Sequence, residues 1–342
     1  MIENPVLVEV VRAGMRESFH RGAIAIVCSD GSSAFECGNT DSTIFPRSAI
    51  KLFQHIPFIK YCIQRKLHVS DEEISLICGS HNAEPEHLRV LGEFMNKFQV
   101  KVDELACGAH FPTDEESALR MKCSQEKPTH IHNNCSGKHS AFLAYCLLKA
   151  LPTKDYLSEV HPIQLEIKDT LSELCHFPAD KMQVGIDGCS APNFALPLKN
   201  LAWGMAKLAD NETLDSLTSE AIQRQTEAIR NQPFYIAGTN RYCTLLNAFL
   251  GDEVIGKVGA EGVYVLSFLK LKIGVAIKID DGKMGPQYHV AQAICDALLG
   301  DISISKKELQ MFRDKPVKNW KGIQTGEMRT TLGTELHKFI LG

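Results

Sequence analysis

Strand-like runs stand at the two ends of this chain and helix-like runs fill the middle. That order restricts the fold more than any single motif does. Residues 22–29, Gly-Ala-Ile-Ala-Ile-Val-Cys-Ser, have the apolar, β-branched content of a buried strand. Asp30-Gly31 is a hairpin turn, and residues 32–38 return as a second strand. Residues 263–269 and 271–279 supply two more strands late in the sequence. Between the two sets, helical spacing of apolar residues appears at 84–98, 140–150, 161–175 and 213–230, and again over 287–299. Pro46 starts a helix that runs on through Leu52 to Phe58, where Pro57 is set to end or kink it. A short apolar run at 74–78 stops at the polar turn Gly79-Ser80-His81-Asn82. The tail beyond 301 is polar and mixed and takes no assignment. The arrangement predicts an α+β fold: an antiparallel sheet built from both chain ends, with flanking helices and a helical insert. The expectation is one unit over 1–342. Residues 1–45 and 245–300 would form the sheet region, and 46–244 a mainly helical region carrying the polar motifs.

Charge and cysteine usage narrow the partners. A net charge of −4 without a basic run argues against nucleic acid. No apolar stretch approaches the length of a membrane span. The first residues, MIENPVLVEVVRAG, lack the basic start and apolar core of a signal peptide. There are twelve cysteines and no C-x-x-C pair, which argues against a zinc ribbon or a thioredoxin-type motif. Many of them, such as Cys28, Cys62, Cys78 and Cys146, sit in apolar runs. They read as reduced core thiols of a cytoplasmic protein.

Chemistry concentrates between Asn133 and His139, where amides, a thiol, a hydroxyl, an amine and an imidazole fall within seven residues. Gly137 is expected to let the backbone bend there. An apolar helical run follows, so Cys135, Lys138 and His139 are expected at a helix N-terminus, a position that favours a thiolate. The loop Asp187-Gly188-Cys189-Ser190 holds a second cysteine in a polar turn. Two thiolates with Lys138 or His139 can hold zinc, with Asp187 as a supporting partner, although lysine must first lose its proton. Two reduced thiols beside a polar pocket remain the plain alternative.

Ser48 and Lys51 form S-x-x-K at a helix start, which puts both side chains on one face. A neutral lysine there can take the serine proton and make the hydroxyl a nucleophile. The spacing alone is weak, because Ser124/Lys127 and Ser303/Lys306 repeat it. Penicillin-recognising acyl-transfer enzymes add S-x-N and then K-T-G on a strand. This chain has one S-x-N, Ser80-His81-Asn82. Of its three K-x-G occurrences, at Lys257, Lys272 and Lys283, only Lys257 precedes a glycine-framed turn that leads into a strand. His81 stands where that pattern has Asp, and Val258 where it has Thr. Turn chemistry for Ser80 and a solvated strand end for Lys257 are the plain readings.

Six stretches in order resemble the rhizobial-type, class 3 bacterial L-asparaginases, the asparaginase II family. They are PRSAIK at 46–51, CGSHNAEPEH at 78–87, NNCSGKHSAF at 133–142, GIDGCSAPNFALPL at 185–198, AGTNRYCT at 237–244 and KVGAEGVY at 257–264. The resemblance implies a serine β-lactamase/glutaminase-like fold and hydrolysis of L-asparagine. It implies two Ser-Lys pairs, Ser48 with Lys51 and Ser80 with Lys257. It further implies a zinc ion held by Cys135, Lys138, Cys189 and a water, and a homodimer. Substrate contacts are expected from Arg47, His139, Asp187, Ala260 and Glu261. Of these, Arg47 can pair with a carboxylate on chemical grounds alone. A glutaminase or another β-lactamase-fold amide hydrolase is the alternative within the superfamily. A non-catalytic zinc sensor is the alternative of another class.

Overall fold

In the computed structural model, which describes residues 3–313, 315–332 and 336, the strand Met15–Cys28 is the spine of an antiparallel sheet. Its apolar half pairs with Ile273–Ile279, from Gly22↔Ile279 to Cys28↔Ile273. On its other side it pairs with Ser33–Cys37, from Ile24↔Cys37 to Val27↔Ser33. The expected Asp30-Gly31 turn closes this hairpin, with Gly31 at φ 90° donating its N–H to the Cys28 carbonyl at 3.0 Å. The polar half, Met15–Arg21, is a continuation that sequence reading leaves unassigned. It turns back through Ala13 and Gly14, both at positive φ, onto Val6–Arg12. Val6–Arg12 pairs in turn with Gln324–Thr330, beside Lys315–Lys318. Val263–Phe268 and Val254–Gly259 complete the other edge.

The sheet is therefore antiparallel and drawn from both chain ends, and the fold is α+β, as expected. The tail beyond 301 adds two of its strands. Helices Leu198–Ala209 and Pro286–Leu299 pack on it. A Cβ at Gly274 would lie 2.0 Å from the Ala202 carbonyl oxygen, so the helix backbone can lie directly on the strand only because residue 274 is glycine.

The chain divides into two units. The sheet unit comprises Met1–Ala49, Leu196–Asp210 and Asp252–Gly342, and the helical unit comprises Ile50–Ala195 and Asn211–Gly251. The helix Leu198–Ala209, inside the stretch the sequence reading counts as mainly helical, thus groups with the sheet. In the helical unit, Ser136–Leu148 is buried on every side from Ser136 to Cys146. Around it pack Ile56–Gln64, Asp71–Ile77, Pro85–Lys97 and Pro162–Leu174. The Pro46 helix is broken at His55: a 3-10 turn Arg47–Ile50 and a short helix Lys51–Gln54 precede Ile56–Gln64, with Pro57 in that helix's first turn. The apolar run 74–78 belongs to the helix Asp71–Ile77. That helix starts at a capping box, Ser70 Oγ accepting from Glu73 N and Glu73 Oε2 accepting from Ser70 N.

All twelve cysteines are free thiols. Most are buried, Cys28 and Cys37 partly, and Cys123 is exposed. No helix among the described residues is long and apolar enough to cross a membrane.

Candidate active site

The helical unit carries two polar turns. The first follows the C-terminus of Asp71–Ile77. Gly79 donates its N–H back to Leu76 and lies where a Cβ would sit 2.6 Å from the Tyr235 carbonyl oxygen. Ser80 then donates its N–H to the Ile236 carbonyl at 2.8 Å. Lys51, fully buried, donates to the Gly79 carbonyl and, at 3.1 Å, to Ser80 Oγ. Ser80 is 5% exposed, so a lysine and a serine hydroxyl meet away from bulk solvent. This Lys51–Ser80 bond is a pairing that the S-x-x-K spacing does not announce.

The two residues after Ser80 are anchored outward. Asn82 Oδ1 accepts from Arg241 Nη1 at 2.6 Å and from Thr113 Oγ1 at 3.0 Å. His81 is wholly buried, and burial, with the His87 and Lys51 charges adding, holds its imidazole well below the usual histidine range.

The second turn leads into Ser136–Leu148. Asn133 braces it, donating to the Cys107 carbonyl at 2.8 Å and accepting from the Cys135 N–H at 2.8 Å. Cys135 is the N-cap residue, and Lys138 and His139 fall in the first turn of the helix. Gly137 is helical rather than bent. A Cβ there would lie 2.8 Å from the Leu76 carbonyl oxygen, so its role is close packing against Asp71–Ile77. Cys189 comes from the hairpin between Val184–Ile186 and Pro192–Phe194. Its left-handed residue is Ser190, at φ 67°, and not Gly188.

Cys135, Lys138 and Cys189 converge. Lys138 Nζ donates to Cys189 Sγ at 2.9 Å, and Cys189 is in hydrogen-bond contact with Cys135. That bond pushes the Cys135 thiol well down; burial opposes this, and the charges of Lys51 and Lys138 support it. Cys189, the donor, is pushed up by the same bond and by burial. Burial works against the Lys138 charge, but Cys189, Cys135 and Asp187 outweigh it and raise the ammonium above its ordinary range. Asp187 Oδ1 accepts from Gly188 N at 2.8 Å, and its other oxygen lies 3.8 Å from Cys189 Sγ. His139 is fully buried; its Nδ1 meets the Tyr156 hydroxyl at 2.6 Å, and its Nε2 has no partner among the described residues.

The donor set fits zinc in kind, with two contacting sulfurs and an amine beside one of them. Among the described residues no group of three His, Cys, Asp or Glu side chains is arranged to hold a metal ion. A metal here therefore needs Lys138 as its third donor, after that amine gives up the proton the sulfurs stabilise.

The remaining expected residues lie in the sheet unit. Arg47, at φ 54°, opens the 3-10 turn that carries Ser48, and Ser48 is half-buried. Lys257 is fully buried on Val254–Gly259, with Nζ 3.0 Å from the Val258 carbonyl, and is not a solvated strand end. At that strand's end, a Cβ on Gly259 would lie 2.3 Å from the Pro46 carbonyl oxygen, so the strand end and the Ser48 turn are in contact. Ala260 and Glu261 follow; Glu261, at φ 59°, pairs with Arg47 at 3.8 Å. Two non-glycine residues in the left-handed region mark this corner as strained.

Two other S-x-x-K serines, Ser124 and Ser303, are structural. Ser124 caps a helix C-terminus, and Ser303 donates to Asp296 at 2.7 Å. Sequence reading gave no role to Arg241 or Ser136, although both lie in stretches it singled out, AGTNRYCT and NNCSGKHSAF.

The sequence profile of the family described as L-asparaginase II matches residues 8–330. Among curated protein sequences none matches. Among solved structures, a protein from Bacteroides dorei DSM 17855 provisionally named a beta-lactamase is similar over 75% of this chain and 84% of its own. The identity is 15% and the TM-score 0.42, a likeness too slight to carry an argument.

Proposed function

Since the chain belongs to the L-asparaginase II family and so is an amide hydrolase, we propose that it converts L-asparagine to L-aspartate and ammonia through a serine acyl-enzyme. The observation that carries this reading is the buried lysine–serine contact, Lys51 Nζ to Ser80 Oγ at 3.1 Å, one helical turn along the chain from Ser48. Ser48 Oγ attacks the side-chain amide carbon, and Lys51, in its neutral form, takes the hydroxyl proton. Ser80 and Lys257 pass a proton to the departing nitrogen, which leaves as ammonia. Water then hydrolyses the β-aspartyl ester, releasing aspartate and restoring the serine. Backbone N–H groups at Ser48 and around Gly259 to Glu261 stabilise the oxyanion.

Arg47, His139, Asp187, Ala260 and Glu261 are the substrate contacts in this reading. The strained Arg47–Glu261 corner and the unpartnered Nε2 of buried His139 support three of them. Cys135, Lys138 and Cys189 would hold a zinc ion. When bound, it would offer a coordination position that orients the substrate's α-amino or α-carboxylate end. Two thiolate donors make a weak Lewis acid, which leaves attack to Ser48. A cytoplasmic homodimer belongs to the same reading. The free thiols agree with a reducing compartment, and sedimentation tests the dimer.

The hydrogen bond to Lys51 also favours a second reading, in which Ser80 is the nucleophile. Ammonia release by Ser48→Ala and Ser80→Ala, with asparagine, glutamine and a chromogenic cephalosporin side by side, tests both readings and the substrate class. Near wild-type asparaginase activity in Ser48→Ala removes Ser48 as nucleophile.

A further inference from the structure

A hydrogen bond joins the two polar turns of the helical unit. His81 Nε2 lies 2.9 Å from Ser136 Oγ, and both side chains are wholly buried. Ser136 has a single hydroxyl proton and gives it to the Ile131 carbonyl at 2.9 Å, so the proton in the His81 bond must come from His81 Nε2. The other ring nitrogen, Nδ1, is then free to accept, and it accepts the Ala83 N–H at 3.2 Å. Ala83 sits at φ 60°, so this second bond holds the strained end of the Ser80 turn. The ring is neutral, fixed in one tautomer, and faces His87 at 5.3 Å in a stack that Phe234 extends.

The far end of the bond is as well placed as the near end. His81 follows Ser80 directly. Ser136 stands between Cys135 and Lys138 at the first position of their helix. The contact exists because Gly137 lets that helix lie against the end of Asp71–Ile77, where a Cβ would meet the Leu76 carbonyl oxygen at 2.8 Å. His81 occupies the position where the penicillin-recognising pattern has Asp. A carboxylate there would be acceptor-only, whereas this site asks for a donor on one side and an acceptor on the other.

The geometry points to His81 as a positioning residue: through Ser136 it fixes the Ser80–Lys51 pair relative to the Cys135–Lys138–Cys189 cluster. The inference rests on the proposed hydrolysis of asparagine at this site. It gives His81 no contact with substrate and no proton transfer.

The test is a set of substitutions read by kcat, KM and zinc affinity, with melting temperature as the folding control. Ser136→Ala removes the acceptor and little volume. It is expected to lower kcat about tenfold or more, the usual loss when an outer partner of a site residue is removed, and to weaken zinc binding. His81→Gln can still donate to Ser136 and should retain most of the activity. His81→Asn keeps the Ala83 contact but cannot reach Ser136, and should match Ser136→Ala. The double variant His81→Asn/Ser136→Ala should be no slower than either single one. If either histidine variant fails to fold, Ser136→Ala alone decides through kcat. Wild-type kcat in Ser136→Ala, equal losses in His81→Gln and His81→Asn, or losses that multiply in the double variant would overturn the link. If the wild-type chain releases no ammonia from asparagine, the functional reading fails and the positioning claim with it. If the wild type is active and Ser136→Ala equals it, only the positioning claim fails.

Discussion

Ser48 and Ser80 carry the same side chain in opposite settings. Ser80 is 5% exposed, held through its backbone by Ile236 and bonded through its hydroxyl to Lys51, and the next residue is pinned on both ring nitrogens. Ser48 is half-buried on a 3-10 turn whose first residue, Arg47, is in the left-handed region. A hydroxyl already bonded inside a rigid turn suits holding and passing a proton. A half-buried hydroxyl on a strained turn suits being reached by a substrate. The contrast agrees with the proposed reading, in which Ser48 attacks and Ser80 relays.

Alanine at each serine breaks the comparison most strongly. Ser48→Ala should cost about 10⁴-fold or more in kcat, as loss of a nucleophile does. Ser80→Ala should cost about 10²–10³-fold, the range of one proton-transfer group. Steady-state ammonia release checks both, and the reverse order would exchange the two roles.

The metal sharpens the same contrast, since in this account it serves positioning and not attack. Zinc removal by a chelator should raise KM for asparagine about tenfold and change kcat less. An unchanged KM with a collapsed kcat would contradict the positioning role.

Much of the scaffold was legible in the sequence. The Asp30-Gly31 hairpin, the late strands and the helices at Pro85–Lys97, Pro162–Leu174 and Pro286–Leu299 follow from turn chemistry and apolar period. Met15–Arg21 was not, because its exposed polar residues interrupt any alternation. Gln324–Thr330 joins the sheet by pairing with Val6–Arg12 at the far end of the chain, and a single sequence does not record that. The run 74–78 concealed a helix whose signal, Ser70-x-x-Glu73, stood just upstream. Gly137 sits in a polar run that suggests a bend, but close packing and not bending requires it. The convergence of Cys135, Lys138 and Cys189 was expected from motif resemblance. The Lys51–Ser80 bond and the His81–Ser136 link are tertiary contacts and were invisible.

Acid separates the two units next. Burial pushes the His87 imidazole down to about 4 and holds His81 well below its usual range, and both belong to the helical unit. Unfolded histidines protonate near about 6.5. Between these values the unfolded chain binds more protons than the folded one, so stability is full above about 6.5 and is lost as pH falls toward 4. His87 alone accounts for about 3 kcal/mol of that loss. Hydrogen exchange across this window should show the helical unit opening before the sheet unit. His87→Phe should flatten the dependence.

The smallest effect is expected at the strained corner. Arg47→Gly removes a left-handed non-glycine residue and should raise stability by at most about 1 kcal/mol, read as melting temperature. The 3.8 Å pair with Glu261 is partly exposed and contributes little to stability. The same change should raise KM, because the guanidinium is a proposed contact for the substrate carboxylate. A lower melting temperature with an unchanged KM would show Arg47 to be structural.

The central claim is a β-aspartyl ester on Ser48. Mass spectrometry of enzyme acid-quenched during asparagine turnover and then digested tests it most directly. The account predicts an added aspartyl group on the peptide containing Ser48, lost on treatment with hydroxylamine and missing in Ser48→Ala. The same group on the Ser80 peptide, or full turnover with no acylated serine at any quench time, would contradict it.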